Sequence, residues 1–389
     1  MTPAARIQTA IELLDAILGG AAAEQTLTNW ARRSRFAGSG DRAAVRDHVF
    51  DALRCRRSFA WLGGSDTGRG LMLGACRATG QDPAAVFTGA TYAPAALGDG
   101  DPAGRDLRDA PPGVRLDMPD WLLPDLEPSL GSHLAEVCAA LRTRAPLFLR
   151  CNVRKVSAAT AADALRAEAI DTRPHPLSPT ALEVTANARR VKGSGPYAQG
   201  WVEFQDVASQ AVVDALPLAD GMRVLDFCAG GGGKSLAMAV RADLQIVAHD
   251  VDASRMHDIA PRAERAGVQI ATASPADLPG LGPFDLVLCD APCSGSGAWR
   301  RAPEAKWTLT PDRLRELRQL QGQILDQAAT LVRPGGVLAY ATCSLLTGEN
   351  QTQVAGFLAR AAGWRLTGQL RFTPLDGGDG FFLALLAAP

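Results

Sequence analysis

Apolar residues recur at helical spacing from residue 7 to about 62. Ile7, Ile11, Leu14 and Leu18, then Val45, Val49, Phe50 and Leu53, fall on one side of a 3.6-residue helix, with arginines on the other faces. The pattern predicts a small helical module. It fades between 88 and 124, where Ala, Gly, Pro and Asp crowd a stretch without period, the composition of a connector. The next elements predicted are a strand (147–153), a helix (158–169) and a strand (181–184), a small α+β unit ending at GPYAQGWVEFQDVASQ. Beyond 223, short apolar runs at 224–227, 246–249, 270–273, 286–289 and 337–341 alternate with helical stretches, the signature of a parallel sheet. Runs at 364–366 and 381–386 close the chain as an antiparallel hairpin, with Gly377-Gly378-Asp379-Gly380 as its turn. The expected fold class is α/β, a Rossmann-like, mostly parallel sheet. Three divisions are expected: a helical module with connector (1–140), the α+β unit (141–205) and the sheet domain (206–389).

Composition narrows the function classes. A chain of 389 residues with 47% hydrophobic residues buries a substantial core. It has no run of eighteen apolar residues, and its first ten residues lack the basic-then-apolar order of a signal peptide, so a cytoplasmic protein without a membrane partner is expected. The eight cysteines, at 55, 76, 138, 151, 228, 289, 293 and 343, show neither paired zinc spacing nor a small-domain disulfide framework; reduced thiols and no metal are expected. Lys and Arg number 40 against 41 Asp and Glu, a formal charge of -1, so any nucleic-acid contact must come from a local patch. No internal repeat stands out, and a monomer is the expected state.

Chemistry is sought where strands end, since ligands of such sheets bind at the carboxyl ends of the strands. The run VLDFCAGGGGKS leaves a strand and enters a helix through Cys228, Ala229, Gly230, Gly231, Gly232, Gly233 and Lys234. Residues without a Cβ let backbone approach a ligand closely. A nucleotide phosphate would fit such a loop too, but position 228, where a P-loop needs its first glycine, is Cys. The next predicted strand ends at Asp250, about twenty residues on, the place from which a carboxylate accepts both ribose hydroxyls of an adenosine. Asp252 is better placed to cap the following helix. After the third strand, Ser274 or Asp277 is left to meet the adenine edge, and Asp277 is the residue chosen.

Two thiols complete the candidate site. DAPCSGSG (290–297) follows the fourth strand and ATCS (341–344) the fifth, so Cys293 and Cys343 are expected on one rim beside the cofactor loop. Both sit among Gly, Ser, Thr and Pro, where a packing cysteine is not expected. Such a pair suits methylation at carbon 5 of cytosine, which is too weak a nucleophile to attack a sulfonium methyl group unaided. A thiolate added at C6 makes the ring enamine-like, C5 takes the methyl, and loss of the C5 proton lets the thiol leave. Asp290 is placed to favour the N3-protonated ring or to orient the exocyclic amine. Spacing alone does not say which thiol attacks.

From Pro146 onward the chain resembles the RNA cytosine-5 methyltransferases of the RsmB/NOP2/SUN family. The matching pieces are GWVEFQDVASQ (200–210), the loop ending Gly232-Gly233-Lys234, DAPCSGSG, WRRAPEAKW (299–307), YATCS with Glu349-Asn350, and DGFF (379–382). The resemblance implies a class I methyltransferase fold and S-adenosylmethionine as donor. It also implies that Cys343 attacks and Cys293 helps to release the product, with Lys234 and Asp290 beside them and an RNA, most simply rRNA, as substrate. The chain departs from the family pattern in two places: the usual Ala-Pro-Gly-Gly-Lys loop has lost its proline, and the aspartate usual after the third strand falls on Ser274, leaving Asp277 as substitute. DNA cytosine-5 methyltransferases differ, since their nucleophile lies in the fourth-strand PC element.

RNA contact is expected of WRRAPEAKW, whose Arg300, Arg301, Lys306 and Trp307 interleave cations with aromatics for phosphate contact and base stacking. The target base must be unstacked to reach a thiol, so a loop, bulge or opened helix end is the expected substrate. The segment DRAAVRDHVFDALRCRRSFAWL (41–62) resembles the end of the NusB-like helical domain that precedes some RNA methyltransferases. Its Arg54, Arg56 and Arg57 offer either phosphate contact or a solvated face. Two other functions compete: a methyltransferase for a different substrate, and a non-catalytic RNA-binding protein of ribosome assembly.

Overall fold

Thr2 starts the first helix, Pro3–Leu18: its hydroxyl accepts the Ala5 N–H at 3.1 Å, and Pro3 takes the first helical position, where no N–H is needed. The computed structural model describes residues 1–389, Pro279 through its backbone alone. The chain divides into one unit of Met1–Arg144 with Trp299–Thr308 and another of Ala145–Ala298 with Leu309–Pro389.

The first unit holds helices Pro3–Leu18, Ala23–Arg33, Ser39–Arg54, Arg56–Gly63 and Gly68–Ala78. The predicted apolar stripe is its core, with Leu14, Val45, Val49, Leu53 and Leu71 buried together. The arginines of the 41–62 segment are held inside this unit. Arg57 pairs with Asp120 at 2.6 Å, Arg56 with Asp66 at 2.7 Å, and buried Arg54 with Asp51 at 2.7 Å.

The second unit carries two sheets. In the smaller, β1 (Leu147–Cys151), β2 (Thr172–His175), β3 (Ser178–Val184) and β4 (Val202–Phe204) pair antiparallel in the order β2-β3-β1-β4. The helix Ala158–Ala167, capped by Ser157, buries Ala161 and Leu165 against Leu149, Leu182 and Val202. The larger sheet contains β5 (Arg223–Asp226), β6 (Gln245–His249), β7 (Ala271–Ala273), β8 (Phe284–Asp290), β9 (Val332–Thr342), β10 (Arg365–Phe372) and β11 (Phe381–Ala387), ordered β10-β11-β9-β8-β5-β6-β7. The β7-β6-β5-β8-β9 pairs are parallel, and β11 lies antiparallel between β9 and β10. The fold is thus the expected α/β, Rossmann-like sheet with a C-terminal antiparallel hairpin. Central strands such as β8 are buried almost throughout, which is why they read as unbroken apolar runs.

The hairpin differs in detail. β10 runs six residues past the predicted 364–366 end, and its connection to β11 begins with a short turn, Pro374–Asp376, capped by Thr373, so the four residues 377–380 are not the whole turn. Among the described residues no helix is long and apolar enough to cross a membrane.

Candidate active site

Chain order reverses at β5: its successor β6 lies on one side and β8 on the other. The carboxyl ends of β5 and β8 therefore flank the crevice in which such sheets bind ligands. Cys228, Ala229 and the four glycines leave β5 here, and the helix Gly233–Ala239 follows.

Gly230 and Gly232 have φ of 50° and 75°. A Cβ on Gly232 would lie 2.7 Å from Ile259 Cγ1, so this position requires glycine both for its backbone and for its contact. Gly230 N–H donates to Asp250 Oδ2 at 3.0 Å, and Asp250, 2% exposed, also takes the Asp252 N–H and pairs with Arg255. Asp252 caps the turn that follows, its carboxylate accepting the Ser254 N–H, as expected. After β7, Ser274 N–H and hydroxyl both donate to Asp277 Oδ2, at 3.0 and 2.6 Å, so the two residues left open for adenine form one hydrogen-bonded pair.

Three loop anchors were not legible in the sequence. Buried Arg150, on β1, donates to Gly233 O at 2.9 Å; Gln205 donates to the same carbonyl at 3.2 Å; Arg262 donates to Gly231 O. Only the inclusion of Gln205 in the family-like string GWVEFQDVASQ hinted at one of them. Arg262 holds the loop at the residue where the family proline is missing. This geometry fits S-adenosylmethionine: a glycine loop leaving the first strand of the sheet, a buried carboxylate after the next strand, and a polar pair beyond the third.

Lys234 and Asp290 form an ion pair at 2.5 Å, joining the glycine loop to the end of β8. Burial opposes the Lys234 charge, but the Asp290 carboxylate outweighs it and raises the Lys234 pKa above its usual 10.5. Next to them Asp226, at the end of β5, accepts the Ser235 hydroxyl at 2.6 Å, and burial lifts its carboxyl to about 6.

The parallel pairing of β8 with β9 sets Asp290 opposite Ala341, so the loops leaving the two strands run side by side. Cys293 and Cys343 meet there, half-buried, with Sγ atoms 3.5 Å apart. The Cys343 partner, and then burial, hold the proton on Cys293 well above the usual thiol range. Lys234 interacts electrostatically with Cys343. A thiol with a cation beside it and a second, protonated thiol in contact is suited to nucleophilic attack followed by proton transfer. The DGFF element supports this loop: Gly297 N–H donates to Cys343 O at 2.9 Å and Gly380 N–H to Gly297 O at 2.9 Å, and a Cβ on Gly297 would stand 2.1 Å from Gly380 O. Among the described residues no three His, Cys, Asp or Glu side chains converge as a metal site.

Several WRRAPEAKW side chains expected to meet RNA have partners within the protein. Lys306 is 1% exposed and donates to Arg54 O at 3.1 Å; Trp307 Nε1 donates to Leu53 O at 2.7 Å; Arg300 is 3% exposed, and its carbonyl accepts from Arg54 Nε at 2.8 Å. Glu304 accepts the Ala23 N–H at 2.8 Å. Leu53 and Arg54 end a helix whose last carbonyls lack partners within it, and the Lys and Trp side chains satisfy them. Arg301, half-exposed, is the remaining candidate for RNA.

The family model described as 16S rRNA methyltransferase RsmB/F matches residues 213–387, and an RsmF/B-like ferredoxin-like domain model matches 118–190. Ribosomal RNA small subunit methyltransferase B of Klebsiella pneumoniae is 34% identical over 282 residues, covering 69% of this chain and 65% of that protein. The protein of the same name from Citrobacter koseri is 35% identical over 287 residues, 70% of this chain and 67% of that one. The matched region thus spans about two thirds of these curated relatives. Among solved structures, that of PH0851 superposes with a TM-score of 0.79 over 99% of both chains at 22% identity. A methyltransferase homolog from Pyrococcus horikoshii gives 0.63 over 71% of this chain and 97% of that one at 24% identity. At these identities the two structures speak for the fold.

Proposed function

The chain belongs to the RsmB/F family of RNA methyltransferases, and on that premise we propose that it methylates carbon 5 of a cytosine in RNA, most simply rRNA, with Cys343 as the attacking thiol. The observation that carries the reading is the contact of two thiols, 3.5 Å apart, beside a lysine–aspartate pair that closes the glycine loop. S-adenosylmethionine, when bound, supplies an electrophilic methyl group. Gly230 to Gly233 are the backbone that would lie against it, with Asp250 toward its ribose and the Ser274–Asp277 pair toward its adenine.

The protein's own groups then divide the work. Lys234 stabilises the Cys343 thiolate, which bonds to C6 of the cytosine while a proton is taken up at N3, and Asp290 accepts a hydrogen bond from N3–H or the exocyclic amine. C5 becomes the nucleophile. Once Cys343 is a thioether, the partner that held the proton on Cys293 is gone. With the methyl group on C5, Cys293 can lose that proton to solvent and remove the one on C5, as the C6–S bond breaks and Cys343 leaves as thiolate; the N3 proton, drawn from solvent on attack, returns to solvent.

Bisulfite sequencing of total RNA from cells with and without the protein tests reaction and target together. A cytosine protected only when the protein is present is the expected result. If no position changes, and purified protein transfers labelled methyl to RNase-treated extract as readily as to RNA, the RNA reading fails.

A further inference from the structure

The Glu349-Asn350 pair lies beneath both cysteine loops and takes no part in the chemistry above. Glu349 is fully buried, and neutral hydrogen-bond donors surround its carboxylate. Its Oε1 accepts the Ser294 N–H at 2.8 Å and Gln321 Nε2 at 3.0 Å, while its Oε2 accepts the hydroxyls of Ser294 and Ser344. Ser294 and Ser344 are the residues that directly follow the two cysteines. The backbone closes the same knot: Tyr340 donates its hydroxyl to Glu349 O at 2.7 Å, and Asn350 Nδ2 donates to Ser344 O at 2.8 Å. A buried carboxylate is costly, and hydrogen bonds to its oxygens are what make it tolerable. A neutral glutamine would meet the same geometric needs, so the charge itself calls for a role.

The charged groups that act on the two thiols differ. Lys234, held by Asp290 and facing Asp226, interacts with Cys343, whereas the charge felt by Cys293, besides Cys343 itself, is that of Glu349. Tyr340, Cys289 and Cys228 are also close, and burial raises all three; two guanidiniums border the knot, Arg318 beside Gly348 and Arg371, which donates to Leu345 O at 3.1 Å. We propose that Glu349 is a positioning residue that fixes both cysteine loops through Ser294 and Ser344 and sets its negative charge against the N–H and hydroxyl of Ser294, next to Cys293, leaving Cys343 as the attacking thiol. The inference rests on reading the pair as the reacting thiols, but its test needs neither RNA nor S-adenosylmethionine, so it can fail while the methylation reading stands.

The test is pH-dependent alkylation by iodoacetamide, mapped by mass spectrometry. Both thiols are half-buried, so the order of modification reports ionisation more than access. In the unmodified chain Cys343 is expected to react before Cys293 from pH 6 to 9; the reverse order overturns the proposal. In a Cys343→Ser background, Glu349→Gln keeps an oxygen for the Ser294 N–H and Gln321, and the two serine hydroxyls can turn to accept from its amide. Loss of the charge is then expected to speed Cys293 alkylation at pH 8 by at least about threefold, a modest fraction of what a nearby unit charge supplies. Glu349→Asp, which keeps the charge, is expected to leave the rate near its starting value. An unchanged rate in Glu349→Gln, or equal acceleration in both variants, overturns the charge role.

Discussion

Gly232→Ala isolates the demand that the cofactor loop makes on its backbone. Gly232 has φ of 75°, a conformation that costs an L-residue about 1–2 kcal/mol. The new methyl group would stand 2.7 Å from Ile259 Cγ1, well inside the ordinary carbon contact of about 3.5–4.0 Å. Ile259 is 1% exposed, packed with Ala248 and Met256, and has little room to retreat, which adds on the order of 1 kcal/mol of overpacking. Some of this strain lowers folded-state stability and the rest pulls the loop from its binding shape. At about 1.4 kcal/mol per decade, calorimetry with S-adenosylmethionine is expected to show a Kd raised roughly ten- to hundredfold. The control is Gly231→Ala. Gly231 is outside the left-handed region, and its Cβ would meet only the end of the Arg262 guanidinium at 3.3 Å. Its Kd is expected to stay within about threefold of the parent. Equal affinities for the two variants, or unimpaired binding by Gly232→Ala, would refute the argument that this loop geometry makes the cofactor site.

Further outcomes follow from the same contacts. Arg262→Ala removes the side chain that ties Gly231 O, at the residue where the family loop is stiffened by proline, and is expected to weaken S-adenosylmethionine binding by about three- to tenfold in the same calorimetric assay; no change would show that the loop holds its shape alone. Asp250→Ala removes the acceptor of Gly230 N–H and is expected to cost roughly ten- to hundredfold, measured likewise. Burial holds Lys306 at about 8 against its usual 10.5, so between those values the unfolded chain binds the extra proton and stability rises with pH, by roughly 3 kcal/mol in all at about 1.4 kcal/mol per unit. Lys306→Met is expected to abolish that rise. The readout is the difference between the two denaturant-unfolding curves under reducing conditions, because thiols such as Cys55, raised by burial to about 12, titrate in both proteins. A difference independent of pH from 8 to 10 would contradict the buried charge.

What could be read from the chain follows the physics of each element. Strands β5, β6, β8, β9 and β11 are largely buried and appear as apolar runs. β2 carries Arg173 and Pro174 at the edge of its sheet, and β4 is three residues long, so neither leaves a usable period. Cys293, Cys343, Asp250 and Asp290 were legible because each sits at or just beyond the end of a strand, where topology directs attention, whereas Lys234, in the helix after the glycine loop, came with the matching string. Glu349 appeared only as part of a matching string, and its role depends on Ser294, 55 residues earlier in the chain. The 299–307 segment reads two ways for a reason of chemistry: tryptophan with lysine and arginine suits a nucleic-acid backbone, and it equally suits the open carbonyls at the end of a helix. Composition cannot separate those partners.

The division of labour between the two thiols is tested most directly by trapping. Cys293→Ala protein, incubated with substrate RNA and S-adenosylmethionine, is predicted to accumulate a covalent protein–RNA adduct whose cross-linked peptide, sequenced by mass spectrometry, carries the RNA on Cys343. The adduct is predicted to vanish in the Cys293→Ala, Cys343→Ala double variant. An adduct mapped to any other residue, or undiminished methyl transfer by Cys343→Ala alone, would contradict the account.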